Sequence, residues 1–315
     1  MTTRIATGSY YSSVLADLMA AQTRENTANQ QVSTGKLGTD LKSFGDQTRN
    51  IVATNTVKAH VDTMVSQLNN LSVKMNFQQA AVQQVSDVTA QLKLGLTNAL
   101  ASGSGDGIMS SVQSLFQQAA QALNTQYGGD YVFSGGQTST QPFTGSSLSD
   151  LNPPATVASL FKDGNLAPTS QIGDNLTIQS GFTATTLGSD LMTQFQNIQA
   201  FQQSADGSFG GTLTDAQQTF LTNTINALQA TVASTTANTA QGGDMQAQVT
   251  AAVTTQTDRQ TTLTNSLGDM TDINEATAAA NLTQAQTAVQ AAAQVFTTLK
   301  SMSLLNYLSS TTTTG

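Results

Sequence analysis

The sequence predicts a mainly α protein: a long antiparallel coiled-coil rod formed by N- and C-terminal helices, with a small β-rich domain inserted in the middle. Three observations predict it. Apolar residues near both ends of the 315-residue chain recur at alternating steps of three and four, which places them on one face of a helix. The longest such run, Val61 to Ala99, holds its spacing for more than five heptads. All four prolines (Pro142, Pro153, Pro154, Pro168) lie in a single glycine-rich stretch between Gly128 and Gly188, where helical spacing stops and turn signals begin.

From Ser12 to Val32 the positions Val14, Leu18, Ala21, Ala28 and Val32 keep helical spacing, interrupted by Glu25. Two glycines in Ser33-Thr-Gly-Lys-Leu-Gly38 favour a turn. After Phe44-Gly45 the pattern resumes, with Asp46 as the expected cap. The next helix carries the rod seam: Val61, Met64, Leu68, Leu71, Met75, Gln78, Val82, Val85, Thr89, Leu92, Leu96 and Ala99. Gly103 to Gly107 ends it, and Ile108 to Gln126 is expected to fold back along it through Val112, Leu115, Phe116 and Ala119.

Between Gly128 and Gly188, Tyr131-Val-Phe133 and Asn175 to Gln179 read as strands. Helical spacing returns near Ser189 and pauses at Asp206 to Gly211. Thr214-Asp-Ala-Gln217 opens the next helix as a capping box. A second seam follows Gly242-Gly243, and the last helix begins near Asp272. There Leu282, Ala285, Val289, Ala292, Phe296 and Leu299 form a narrow apolar stripe, with Lys300 the one charge from Asn281 to Leu308. The expected domains are 1–44, an N-terminal assembly helix and turn; 45–127, N-terminal rod helices; 128–188, an inserted β-rich surface domain; 189–271, C-terminal rod helices; and 272–315, a C-terminal assembly helix.

Composition narrows the function classes. Charged residues make up 10% of the chain, aromatics 5%, and tryptophan is absent, against roughly a quarter charged in ordinary soluble domains. The surface is therefore built of Thr, Gln, Ala, Ser and Asn, which can pack on copies of itself without desolvating many ions. The first hundred residues hold eight bases and six acids, a net +2, and the rest hold three bases and thirteen acids, a net −10. A mildly positive head and an acidic remainder would attract each other within or between molecules; ordinary solvated faces explain the asymmetry equally well.

With no cysteine, two glutamates (Glu25, Glu275) and one histidine, His60, the inventory for metal or nucleophile chemistry is short; His60 is expected to have a surface or packing role. Thr34-Gly-Lys36 lacks the spacing of a phosphate loop, and Gly128 to Gly136 lacks that of a dinucleotide fingerprint. No basic run with interleaved aromatics points to nucleic acid. No run approaches membrane length, so membrane insertion is not expected, and the N-terminus lacks the apolar core of a cleaved signal peptide. No enzyme and no cofactor are expected.

Both ends resemble the bacterial flagellin superfamily. Gln31-Val-Ser-Thr-Gly-Lys-Leu-Gly-Thr-Asp-Leu-Lys-Ser-Phe-Gly-Asp46 is similar to that family's short helix, Ser-Gly-Lys turn and Asp-bearing restart, with Gln47 where a second aspartate is usual. Asn281 to Leu308 looks like its C-terminal helix. Gly129-Asp-Tyr-Val-Phe-Ser-Gly-Gly-Gln-Thr-Ser-Thr-Gln-Pro-Phe143 and the ending Ser303-Leu-Leu-Asn-Tyr-Leu308 resemble the hook-associated protein 3 branch, which joins hook to filament; the filament flagellins remain the alternative.

The resemblance implies an extracellular flagellar subunit, exported unfolded, whose terminal helices order on assembly. It implies as partners copies of the chain itself, neighbouring hook-associated proteins or flagellin, and an export chaperone on the C-terminal helix. The expected assembly interface is Val14, Leu18, Ala21, Val32, Leu282, Ala285, Val289, Phe296, Leu299, Leu304, Leu305 and Leu308. A secreted helical-rod adaptor or binding module stays open as a different class.

Overall fold

Long helices packed against one another make up most of the chain, and among the described residues β-structure amounts to two two-stranded sheets and three isolated bridges. The computed structural model describes residues 2–153 and 155–311, with side chains described over 10–153 and 155–301. Among the described residues there are seven α-helices: α1 (Thr2–Thr34), α2 (Thr48–Ser102), α3 (Ile108–Leu123), α4 (Val157–Leu160), α5 (Ala184–Gln202), α6 (Asp215–Thr271) and α7 (Glu275–Thr311). The four strands β1 (Gln126–Tyr127), β2 (Asp130–Tyr131), β3 (Thr169–Gly173) and β4 (Leu176–Gln179) pair as two antiparallel hairpins. Contacts divide the chain into a terminal unit, residues 1–60 and 259–315, and a central unit, residues 61–258.

In the terminal unit α1 packs on α7. The direction is antiparallel: the Tyr11 and Phe296 rings lie 5.2 Å apart, while at the other end Leu37 N donates to Thr271 O (2.7 Å) and Ile273 N to Gly35 O (3.1 Å). Helix α1 stops where the sequence places its turn, because Gly35 takes φ 68°, the left-handed conformation that closes a helix. The restart differs from expectation. Asp46 does not cap α2; it lies in a short 3-10 helix, Leu41–Gln47, kinked at Gly45, and the cap of that helix is Asp40, which accepts from Ser43 N at 3.0 Å. The kink delays α2 to Thr48, whose hydroxyl reaches back to Leu41 O at 2.7 Å.

In the central unit α2 and α6 run antiparallel, joined by Gln79 Nε2 donating to Thr239 O (3.1 Å) and by the hydrogen bonds Lys93–Gln229 and Gln246–Asn76. Two polar positions of the α2 seam are buried without strain. Gln78 donates to Val132 O at 3.1 Å, and the Thr89 hydroxyl bonds Val85 O at 2.7 Å. The capping box forms as expected, with Gln217 N donating to Thr214 Oγ1 and Thr214 N to Gln217 Oε1. From there α6 runs unbroken through Gly242-Gly243, which the sequence reads as a division. A Cβ at Gly242 would lie 2.2 Å from Gln79 Oε1, so this glycine permits a close approach of α6 to α2 instead of ending a helix.

The middle segment departs most from expectation. Of the expected first strand, Tyr131–Phe133, only Tyr131 pairs, in β2 with Asp130, while Val132 and Phe133 turn inward and are fully buried. Together with Phe143, Leu148, Leu151 and Phe161 they join the same core as α2, α3, α5 and α6, so much of the segment is built into the central unit, while Leu166 and Leu176 stay exposed. Phe116 anchors this core, edge-on to Phe195 at 5.6 Å and to Phe143 at 6.1 Å. Helix α3 ends at Leu123, short of Gln126, because the Asn124 side chain clamps the Phe143 backbone at 2.8 and 3.0 Å and the chain turns into β1. Helix α5 starts at Ala184, ahead of Ser189, capped by Thr183. Gly188, which reads as a boundary, lies inside α5 against Leu123.

Exposed threonines on the long helices follow one pattern. Thr23, Thr27, Thr222, Thr236, Thr283 and Thr287 each donate the hydroxyl to the carbonyl four residues earlier, at 2.7–3.0 Å.

Gly135 offers a test of the middle segment. It takes φ 63°, and a Cβ there would sit 2.9 Å from the carbonyl oxygens of both Gly164 and Leu166. Gly135→Ala is expected to destabilise the central unit by about 1–3 kcal/mol, read as a lower urea midpoint. An unchanged midpoint would contradict this packing.

Candidate assembly surface

The expected rod-seam residues are interior. Val61, Met64, Leu68, Met75, Val82, Val85 and Leu92 are buried, and Leu71 is half-buried. They hold the central unit together and present no free surface. The terminal unit contrasts with this. Along the α1–α7 contact the small residues Ala21, Ala28, Ala278 and Ala285 are buried with Val14, whereas Leu18, Leu282, Val289, Phe296 and Leu299 remain half-buried. Two helices alone cover only the strip between them, so larger side chains at its edges stay open.

Val32 is not covered by the α1–α7 contact within one chain, being 43% exposed. The antiparallel register set by Tyr11–Phe296 and by Lys36 beside Asp272 puts Val32 opposite the start of α7, where Glu275, Ala276 and Thr277 offer little apolar surface. Leu304, Leu305 and Leu308 lie outside the residues whose side chains are described. Sequence reasoning passed over Tyr10, Met19 and Val295, large apolar residues more than 45% exposed on the same two helices. Their signal was present in composition: aromatics and methionine on helices poor in charge, outside the seam spacing.

One clasp ties the two links of this unit. Lys36 Nζ pairs with Asp272 Oδ1 and lies 3.3 Å from Thr271 Oγ1, beside the backbone pairing of Gly35–Leu37 with Thr271–Ile273. The Lys36 hydrogen bond, then that of the Thr271 hydroxyl, hold the Asp272 carboxyl below the usual aspartate range. Asp40 is held down in the same direction by the Ser43 hydroxyl and amide. Charge also divides by unit. The terminal unit holds eight bases and seven acids, a net +1, and the central unit three bases and twelve acids, a net −9.

The terminal unit is a half-open pair of weakly charged helices, and no three metal-ligating side chains converge among the described residues. No helix among those residues is long and apolar enough to cross a membrane. Residues 216–308 match the family model of the bacterial flagellin C-terminal helical region. In fold the chain is similar to a protein described as a flagellar hook-associated protein of Vibrio parahaemolyticus, with TM-score 0.59 and 14% identity over 73% of this chain and 100% of that one. It is also similar to FlgL of Bacillus cereus, with TM-score 0.54 and 14% identity over 67% of this chain and 97% of that one. No curated protein sequence matches it. Flagellin and hook-associated proteins are structural and not enzymatic.

The clasp gives a pH prediction. A carboxylate whose folded pKa is lowered adds stability above its ordinary range, near 4, and loses it as pH falls through the lower folded value. Hydrogen exchange at the Leu37 and Ile273 amides, corrected for intrinsic rates, is expected to quicken below about pH 4 in the native chain. In Asp272→Asn it is expected to be already fast at neutral pH. Equal protection in both proteins at neutral pH would show that the ion pair does not hold the links together.

Proposed function

We propose that this chain is a structural subunit of the bacterial flagellum that assembles with its own copies through α1 and α7, at the junction between hook and filament. The carrying observation is the half-open α1–α7 seam. Leu18, Leu282, Val289, Phe296 and Leu299 stay partly in water in the isolated chain, and further covering by a neighbour adds about 25 cal/mol per Å2 of apolar surface buried. The flagellin match over 216–308 and the fold likeness to the Vibrio and Bacillus proteins support a flagellar subunit.

The Vibrio protein's description and the Tyr131 to Phe143 run support the junction position. The filament itself is the second reading, favoured by the C-terminal match being to flagellin. In either position the chain works outside the cell. Its partners are its own copies, neighbouring hook-associated proteins or flagellin, and an export chaperone on the C-terminal helix.

Removing residues 281–315 tests the assembly role, because the central unit has its own core. The truncated chain is expected to keep the cooperative unfolding transition of that unit and to form no polymers by negative-stain microscopy when seeded. Normal polymers from it would refute the role given to α7. Deleting the gene separates the two positions: flagellin made but shed into the medium supports the junction, and cells lacking the filament protein itself support the filament.

A further inference from the structure

The terminal unit carries an exposed apolar knob. The 3-10 helix Leu41–Gln47 buries none of its residues, and Leu37 and Leu41 are 45% and 51% exposed. The link is nevertheless firmly held. Gln31 Nε2 donates to Leu37 O (2.8 Å), Leu37 N to Thr271 O (2.7 Å), Ser43 Oγ to Asp40 Oδ1 (2.7 Å) and Thr48 Oγ1 to Leu41 O (2.7 Å). Leucines displayed on a backbone fixed this way lose little further freedom on docking.

The central unit carries a groove of matching character. Where α2 ends and α3 begins, Leu92, Leu96, Ala99, Ile108 and Leu115 line an open cavity of about 540 Å3, within the range of about 300–1,000 Å3 usual for binding pockets. Gly95 stands in its wall, inside a helix, where glycine costs about 1 kcal/mol relative to alanine. Nothing in its own chain requires that glycine, since a Cβ there would meet no atom within 4 Å. Its effect is to leave the groove open.

Charge favours one occupant. Asp106 lines the groove and no base does, and Asp206 and Asp215 lie on the neighbouring loop and helix start, tied in through Asp106 Oδ1 accepting from Gly211 N and Gln217 Nε2 donating to Asp206 O. The link carries exposed Lys42, and exposed Arg49 follows in the first turn of α2; both belong to the unit of net +1, whereas the groove belongs to the unit of net −9. We infer that the groove between α2 and α3 receives the Leu37–Leu41 link of a second copy of this chain, a head-to-tail contact that repeats from copy to copy. Such a contact joins two different patches, so it extends an array instead of closing a dimer. The inference rests on the proposed assembly role and adds the surface by which one copy meets the next.

The absence of cysteine makes the test direct. Leu41→Cys chains are mixed with Gly95→Cys or Asn98→Cys chains, assembled on seeds and oxidised. Any Leu41→Cys to groove bond in the mixture joins two molecules, and a covalent heterodimer is the expected product, lost when Gly95→Leu chains that carry Asn98→Cys fill the groove. Assembly that proceeds without this heterodimer overturns the inference and leaves the proposed function intact. A bond formed only within single chains of the double variant, at a rate independent of concentration, overturns it in favour of an internal contact. Failure of the native chain to assemble at any concentration overturns both.

Discussion

A stripe of apolar side chains on a helix with almost no charge cannot stay in water, and the rest of this structure follows from how each stripe is covered. In the central unit the cover is nearly complete: α2 lies against α6 and α3, α5 closes over α3, and the seam side chains Val61, Met64, Leu68, Met75, Val82, Val85, Leu92 and Leu96 lose nearly all contact with solvent. In the terminal unit the same kind of stripe is covered by one helix only, and its larger residues remain half in water. The difference between the two units is therefore one of completeness and not of chemistry. A fully covered stripe makes a folded body, and a half-covered one makes a surface that gains from another partner.

Low charge is the condition that lets this work. An ion buried at a contact between copies needs a partner in good geometry, and the terminal unit gives few such problems: Lys36 is matched by Asp272, and the α7 stripe from Asn281 to Leu308 holds only Lys300. Most of the net negative charge sits instead in the central unit, on residues such as Asp130, Asp174 and Asp190 that face water. The net negative charge is thus concentrated in the central unit, and the terminal unit is left nearly neutral.

The helical framework was legible because period and punctuation agree. Val61 to Ala99 kept its spacing through Gln78 and Thr89, both of which proved to be buried with bonded side chains, and the Thr214 box and Gly35 turn sit where their residue types require. What could not be read depended on partners distant in sequence. Gly188 and Gly242 look like breaks until Leu123 and Gln79 are placed against them, and Phe133 looks like part of a surface strand until it joins the core that Phe116 and Phe143 build. The assembly surface was half legible for the same reason. Heptad spacing identified Leu282 to Leu299, but only the register with α1 shows that Val32 has little opposite it.

The threonine hydroxyls bonded to carbonyls one turn earlier change what the outside of these helices is. A hydroxyl that donates to its own backbone has no proton left to offer water, and only its oxygen can still accept. The helices therefore look more hydrophilic in composition than they are in contact. When a neighbour settles on such a face, few hydrogen bonds to solvent have to be broken, because the backbone took them up when the helix formed. A threonine-coated helix of this kind has fewer donors to desolvate at a contact than its composition suggests, while its unfolded chain keeps free hydroxyls to stay dissolved.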